Sequence, residues 1–203
     1  MTKVKICGLK RQEDIAYVNE LEPDYIGFVF ASSKRQVTPL EAASLKNKLC
    51  NKIKAVGVFV REDINKVAEI ANQNIIDLIQ LHGDEDKEYL CKLKELTKKP
   101  IIKVIRVKDT SSFVNLEQYP CDFFLFDTFT KDQFGGAGKS FDYTLLKKAN
   151  IKKPFFLAGG ISSENVDEIL KEVKPYGVDV SSSVETGGVK DFEKIKEFIE
   201  KVK

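Results

Sequence analysis

The chain has 203 residues, with 33 Lys and Arg against 31 Asp and Glu, one His, four Cys and no Trp. That length suits one well-buried domain over residues 1–203 and is short for two, and the interspersed, nearly cancelling charges argue against a nucleic-acid face or an acidic tail. No apolar run reaches the length of a membrane span, and Met1 to Cys7 is too short and too charged for a secretory signal, so the expectation is a cytoplasmic enzyme with no membrane and no nucleic-acid partner.

Short Val-, Ile- and Phe-rich runs alternate with longer Lys/Glu-rich runs of helical period, the pattern of a parallel sheet built from βα units. Strands are predicted at 3–7, 24–30, 53–60, 76–82, 101–107, 122–127, 154–158 and 177–181. Helices follow at 11–21, 39–51, 63–73, 85–97, 111–117, 142–149, 162–173 and 190–202, with start signals such as Thr38-Pro39 and Ser162-Ser163-Glu164. Eight repeats predict an α/β fold, a single (β/α)8 TIM barrel, small against the roughly 250 residues usual for it. An open doubly wound sheet would place its phosphate turn after the first strand, and here that strand ends in Cys7-Gly8-Leu9-Lys10 without GxGxxG. The glycine-bearing segment 128–141 after the sixth strand reads as an active-site loop or lid. Its Gly135 to Ser140 run lacks the full spacing and flanking elements of a nucleotide-binding loop.

Cys7, Cys50, Cys91 and Cys121 are widely spaced without a CxxC pair, so neither a disulfide framework nor a zinc site is expected, and three of them are expected to pack as small apolar residues. With His82 the only imidazole, no metal is predicted.

The seventh strand stops at Gly159-Gly160 and the eighth at Ser181-Ser182-Ser183. Small residues there let backbone N–H groups approach an anion, and a helix starting just beyond adds its positive end. Taken singly, each segment also reads as an ordinary strand-to-helix turn with serine caps. As the seventh and eighth strands of a barrel, the pair predicts a phosphate cup. On the first strand Val4 and Ile6 face the helices while Lys3, Lys5 and Cys7 face the lumen, with Cys7 at the mouth. A thiol beside Lys5 is drawn toward thiolate and can serve as base or nucleophile; it can equally be a small core residue. The sixth strand ends in Asp127, an acid among Phe residues that suits proton donation or a loop amide cap. Arg35 offers a planar fork for a carboxylate or is one surface cation among many. His82 and Arg106, at the ends of strands four and five, point toward the same mouth if register holds, though a lone His is more often a structural hydrogen-bonder than a catalyst.

Together Lys5-Ile6-Cys7-Gly8, Gly27 to Phe30 with Ser33 to Val37, Gln80 to Asp84, Phe126-Asp127-Thr128, Gly135 to Tyr143, Leu157 to Ile161 and Gly177 to Glu185 closely resemble the phosphoribosylanthranilate isomerase family of tryptophan biosynthesis, over essentially the whole chain. The family usually has Pro where this chain has Lys34 and Gly where it has Ser183, the second bearing on the phosphate cup. The resemblance implies an Amadori rearrangement without a cofactor. It implies Asp127 as general acid at the furanose oxygen, Cys7 as general base at C2′, Arg35 on the anthranilate carboxylate and phosphate at Gly159, Gly160, Ser182 and Ser183. Asp179 is assigned a sugar hydroxyl, and His82 a place against the substrate. The implied partner is a small phosphosugar, with the protein a monomer or homodimer. The alternatives are another phosphate-sugar barrel isomerase, of which the histidine-pathway enzyme would carry Asp in place of Cys7, or a non-catalytic phosphate-binding barrel.

Overall fold

Apolar runs bounded by polar turns form eight strands: β1 Lys3–Cys7, β2 Tyr25–Val29, β3 Lys54–Phe59, β4 Leu78–Leu81, β5 Ile101–Val107, β6 Phe123–Thr128, β7 Phe155–Leu157 and β8 Gly177–Val180. Each pairs in parallel with the next, and β8 pairs back onto β1 with Val180 opposite Ile6, so the sheet closes as a barrel. The computed structural model describes residues 1–128 and 143–203, so the expected lid 128–141 and its glycine run fall, apart from Thr128, outside the described residues.

The helices are α1 Gln12–Leu21, α2 Pro39–Lys46, α3 Ile64–Asn72, α4 Lys87–Leu96, α5 Thr144–Lys148, α6 Val166–Glu172 and α7 Phe192–Val202. Thr38 and Glu41 cap α2 reciprocally, and Pro39 supplies the first turn with a pre-set φ. In α7 the buried Ile195, Phe198, Ile199 and Val202 recur at the spacing of one helical face. Three expectations need correction. The helix expected at 111–117 is replaced by two 3₁₀ turns, Thr110–Phe113 and Leu116–Gln118: Asp109 caps the first, and Asn115 at φ 58° breaks the chain between them. The helix expected from 162 begins at Val166, because Asn165 ties Ser162 N–H and the Gly160 carbonyl into a turn. Of the cysteines only Cys121 is buried; Cys7 and Cys50 are half-buried, and Cys91 stands on the exposed side of α4.

Side chains alternate as the strands dictate. Val4, Ile6, Phe28, Phe124 and Phe126 pack outward against the helices, while Tyr25, Val56, Leu78, Ile102, Val104, Leu125 and Phe156 fill the lumen. The floor is closed by Tyr25 and Tyr176, whose hydroxyls are 2.8 Å apart. Around the floor an Asp just before each of β2, β4 and β6 accepts an N–H from the neighbouring odd strand: Asp24 from Val4 at 3.0 Å, Asp77 from Ala55 at 2.8 Å and Asp122 from Ile101 at 2.8 Å. This repeated clamp satisfies strand-end donors that no ladder reaches.

Candidate active site

At the C-terminal ends of the strands a cavity of about 600 Å³ opens, and Cys7, Arg35, His82, Asp127, Asp179, Gly159, Gly160, Ser182 and Ser183 all line it. The sequence order scatters these residues; barrel closure brings β8 beside β1 and gathers them at one mouth. Two glycines make room. A Cβ on Gly27 would stand 2.7 Å from Cys7 Sγ, and one on Gly159 would stand 2.7 Å from Asp127 Oδ1. Gly159 and Gly160 also hold φ of 84° and 71°, the left-handed region in which glycine carries no side-chain penalty.

On one wall Lys5, wholly buried, donates to Asp179 Oδ1 at 2.9 Å. Burial pulls the Lys5 ammonium down, yet Asp179 and the Cys7 sulfur outweigh it and hold Lys5 above its ordinary value. Asp179 is raised, because burial overrides the pull of Lys5. The expectation that Lys5 draws Cys7 toward thiolate is corrected in sign: Lys5 does lower the thiol, but burial dominates and the Cys7 thiol sits above its ordinary 9.0. On the opposite wall Asp127 Oδ2 lies 3.1 Å from His82 Nε2, and Oδ1 accepts the Thr128 N–H at 2.8 Å. His82 Nδ1 lies in turn 3.1 Å from Gln80 Nε2. Arg106 follows Ile102 and Val104 on the lumen side of β5, opposite Asp127 in register, and is not among the described residues lining the cavity.

Arg35 is held before any ligand arrives. Its Nε and Nη2 donate to the two Glu185 carboxylate oxygens at 2.7 Å each, and the buried Lys190 donates to Glu185 Oε1 at 2.6 Å. Burial tends to raise the Glu185 carboxyl, and the two cations more than offset it, leaving it below its ordinary range. Glu185 and Lys190 face each other across a small hairpin, β9 Glu185–Thr186 and β10 Val189–Lys190, turned by Gly187 and Gly188 at φ 59° and 82°. Sequence reasoning quotes Gln80 and Glu185 within motifs without giving either a role, and passes over Lys190. The Gly187-Gly188 pair between two short β-prone segments was the available hairpin signal. Gln80, a lone amide in an apolar strand, had only its lumen parity with His82 to mark it.

The phosphate cup differs from expectation in its helices. After Gly160 the α-helix starts six residues later, and after Ser181 a single 3₁₀ turn, Ser182–Val184, follows. Ser183, where the resemblance leads one to expect glycine, lies in that turn and not in the left-handed region, and its Oγ is buried without a partner among the described residues. The described lining of the expected cup is Gly159, Gly160, Ser181, Ser182 and Ser183. Among the described residues no three His, Cys, Asp or Glu side chains converge as a metal site would need, and no helix is long and apolar enough to cross a membrane.

A family model described as N-(5′-phosphoribosyl)anthranilate (PRA) isomerase matches residues 4–201. The relatives named N-(5′-phosphoribosyl)anthranilate isomerase from Thermoanaerobacter pseudethanolicus and Clostridium acetobutylicum are 49% and 48% identical, each alignment covering 100% of this chain and 98% of the relative. Among solved structures, the phosphoribosyl anthranilate isomerase of Thermotoga maritima superposes with TM-score 0.86 at 34% identity, over 99% of this chain and 98% of that one. A phosphoribosyl anthranilate isomerase in complex with reduced 1-(O-carboxyphenylamino)-1-deoxyribulose 5-phosphate superposes with TM-score 0.85 at 33% identity, over 99% of this chain and 98% of that chain.

Proposed function

We propose, for a chain that belongs to the N-(5′-phosphoribosyl)anthranilate isomerase family, that Cys7 and Asp127 divide between them the proton transfers of an Amadori rearrangement. The protein is an isomerase of tryptophan biosynthesis, converting N-(5′-phosphoribosyl)anthranilate to 1-(2-carboxyphenylamino)-1-deoxyribulose 5-phosphate. Asp127 protonates the furanose oxygen and the ring opens to a protonated Schiff base. Cys7 then removes the C2′ proton, and the enolamine so formed becomes the ketone. The raised Cys7 thiol fits this order of events: the Schiff-base cation, once formed, joins Lys5 in stabilising the thiolate where it is needed. Only protons move, so the chemistry calls for no cofactor.

The observation that supports this assignment is that Cys7 of β1 and Asp127 of β6 line one cavity, together with Arg35 and the Gly159-Gly160 and Ser182-Ser183 turns. Arg35 keeps Nη1 outside its bidentate pair with Glu185 and takes the anthranilate carboxylate. Gly159, Gly160, Ser182 and Ser183 take the phosphate, and the unpartnered Ser183 Oγ supports that placement. His82 and Asp179 contact the sugar. Fixing both ends places C2′ between base and acid. We place the enzyme in the cytoplasm, as a monomer or homodimer acting on a phosphosugar with no nucleic-acid partner; the Thermotoga maritima relative is described as dimeric. The test is the change in anthranilate fluorescence when protein is added, in EDTA, to freshly generated N-(5′-phosphoribosyl)anthranilate. Rapid conversion is expected; none by folded protein would point to another phosphate-sugar substrate.

A further inference from the structure

Three buried side-chain atoms lack a partner among the described residues, and one of them, Gln80 Oε1, belongs to a chain of contacts that ends on the acid. Gln80 is 1% exposed and lines the cavity. Its Nε2 lies 3.1 Å from His82 Nδ1, and His82 Nε2 lies 3.1 Å from Asp127 Oδ2. Because Asp127 Oδ1 already accepts the Thr128 N–H at 2.8 Å, Oδ2 is the oxygen left to carry an acidic proton.

An amide N–H donated to Nδ1 puts the single proton of a neutral imidazole on Nε2, which then donates to a carboxylate. That is the pair without its acid proton. The loaded pair holds one proton more, and Nδ1 must then carry hydrogen. If the proton is on Oδ2 it bonds to a bare Nε2, leaving the imidazole hydrogen on Nδ1; if it stays on the ring, both nitrogens carry hydrogen. An Nδ1–H needs an acceptor, and half a turn of the Gln80 amide brings the unpartnered Oε1 onto it.

We propose that Gln80 is a positioning residue for the acid step, presenting Nε2 or Oε1 to His82 Nδ1 and so supporting the unloaded and the loaded His82–Asp127 pair in turn. This rests on Asp127 being the general acid. The loading proton comes from solvent through the cavity that His82 lines, and it leaves hydrogen on Nδ1 and on Oδ2. In ring opening the Oδ2 proton passes to the furanose oxygen, the C1′–O bond breaks with its electron pair on that oxygen, and the carboxylate returns; Nε2, left bare against that carboxylate, then takes a hydrogen from solvent in the cavity as Nδ1 releases one to it, which restores the Nε2–H form. Other charges act on the pair: Asp179 of β8, itself paired with Lys5 of β1, and Arg106 of β5, in register with Asp127. Val58 of β3 and Ala158, the residue after β7, also line the cavity and do not titrate.

With one His in the chain, imidazole-15N labelling gives two ring-nitrogen signals that need no assignment by mutation. In the wild type we expect the Nε2–H tautomer at alkaline pH and hydrogen on Nδ1 as the pair loads on acidification. Gln80→Met removes both donor and acceptor: mixed tautomers are expected, with kcat down about tenfold, part of the 10²–10⁴ that a positioned acid supplies, and KM changed less than about twofold. Gln80→Glu offers only an acceptor and is expected to keep hydrogen on Nδ1 to higher pH. A wild-type Nδ1 that never gains hydrogen over the pH range in which the enzyme turns over overturns the proposal without any variant. So do wild-type tautomers and wild-type kcat in both variants, whatever their melting temperatures. Asp127→Asn run alongside separates the two levels: near-normal turnover there removes the acid assignment itself, while the nitrogen signals report on Gln80 alone.

Discussion

The floor and the mouth of this barrel use the same residue types to opposite ends. At the floor Asp24, Asp77 and Asp122 each accept a strand-end N–H, and a Lys stands against each of these carboxylates. At the mouth Asp127 and Asp179 face a cavity, and all three unpartnered buried side-chain atoms found among the described residues, on Gln80, Thr128 and Ser183, belong to β4, β6 and the turn after β8. A carboxylate spent on backbone and lysine stabilises; one that faces a cavity beside unpartnered polar atoms can bind or move a proton. Stability and chemistry are therefore separable by position along a strand.

The sharpest way to break that separation is at the mouth. Cys7→Ala and Asp127→Asn should each lower kcat by about 10²–10⁴-fold with an unchanged melting temperature; a large loss of stability would mean that the mouth also holds the fold. Lys5→Met should violate the separation, because Lys5 is buried at mid-strand between both functions. It leaves Asp179 buried without its partner, at a cost of about 3–5 kcal/mol by denaturant titration, and removes the cation beside Cys7, so that turnover falls as well. Arg35→Ala should raise KM roughly 10- to 100-fold with little change in kcat, from loss of one charge-assisted contact. An equal loss on a substrate analogue lacking the carboxylate would show that Arg35 only braces Glu185. At the floor, Asp77→Ala should cost about 1–3 kcal/mol in unfolding free energy by freeing the Ala55 N–H, and leave kcat untouched. The smallest effect is in reactivity. Because the Cys7 thiol lies above its ordinary 9.0, its thiolate fraction near neutrality is below that of a free thiol. Alkylation of the Cys7 peptide, followed by mass spectrometry, should therefore be slow at pH 7 and rise about tenfold per pH unit, behind the exposed Cys91 throughout.

The barrel was legible because buried parallel strands are near-continuous apolar runs, and each of the eight expected runs coincides with a strand to within a residue or two at its ends. Helix edges were less so. The run 111–117 has helical length, but Ser111 and Ser112 bond locally, and Asn115 in the left-handed region breaks the chain, which leaves it as 3₁₀ turns. All nine expected site residues line one cavity, since strand parity and strand ends are written in the sequence. What the sequence hid were pairings across long separations. Glu185 meets Arg35 through a hairpin two residues wide, and Gln80 meets Asp127 only through His82. The sign at Cys7 was hidden too, because Lys5 was visible beside it while the burial that outweighs Lys5 depends on the closed lumen.

The division of labour between the two walls is tested most directly by trapping the open Schiff base with cyanoborohydride in a single turnover, against a buffer control. Cys7→Ala, which keeps Asp127, should open the ring and stall, giving the reduced open-chain adduct above the buffer level, while Asp127→Asn should give none above it. Equal trapping from both variants, or trapping from Asp127→Asn alone, would contradict the assignment of acid to β6 and base to β1.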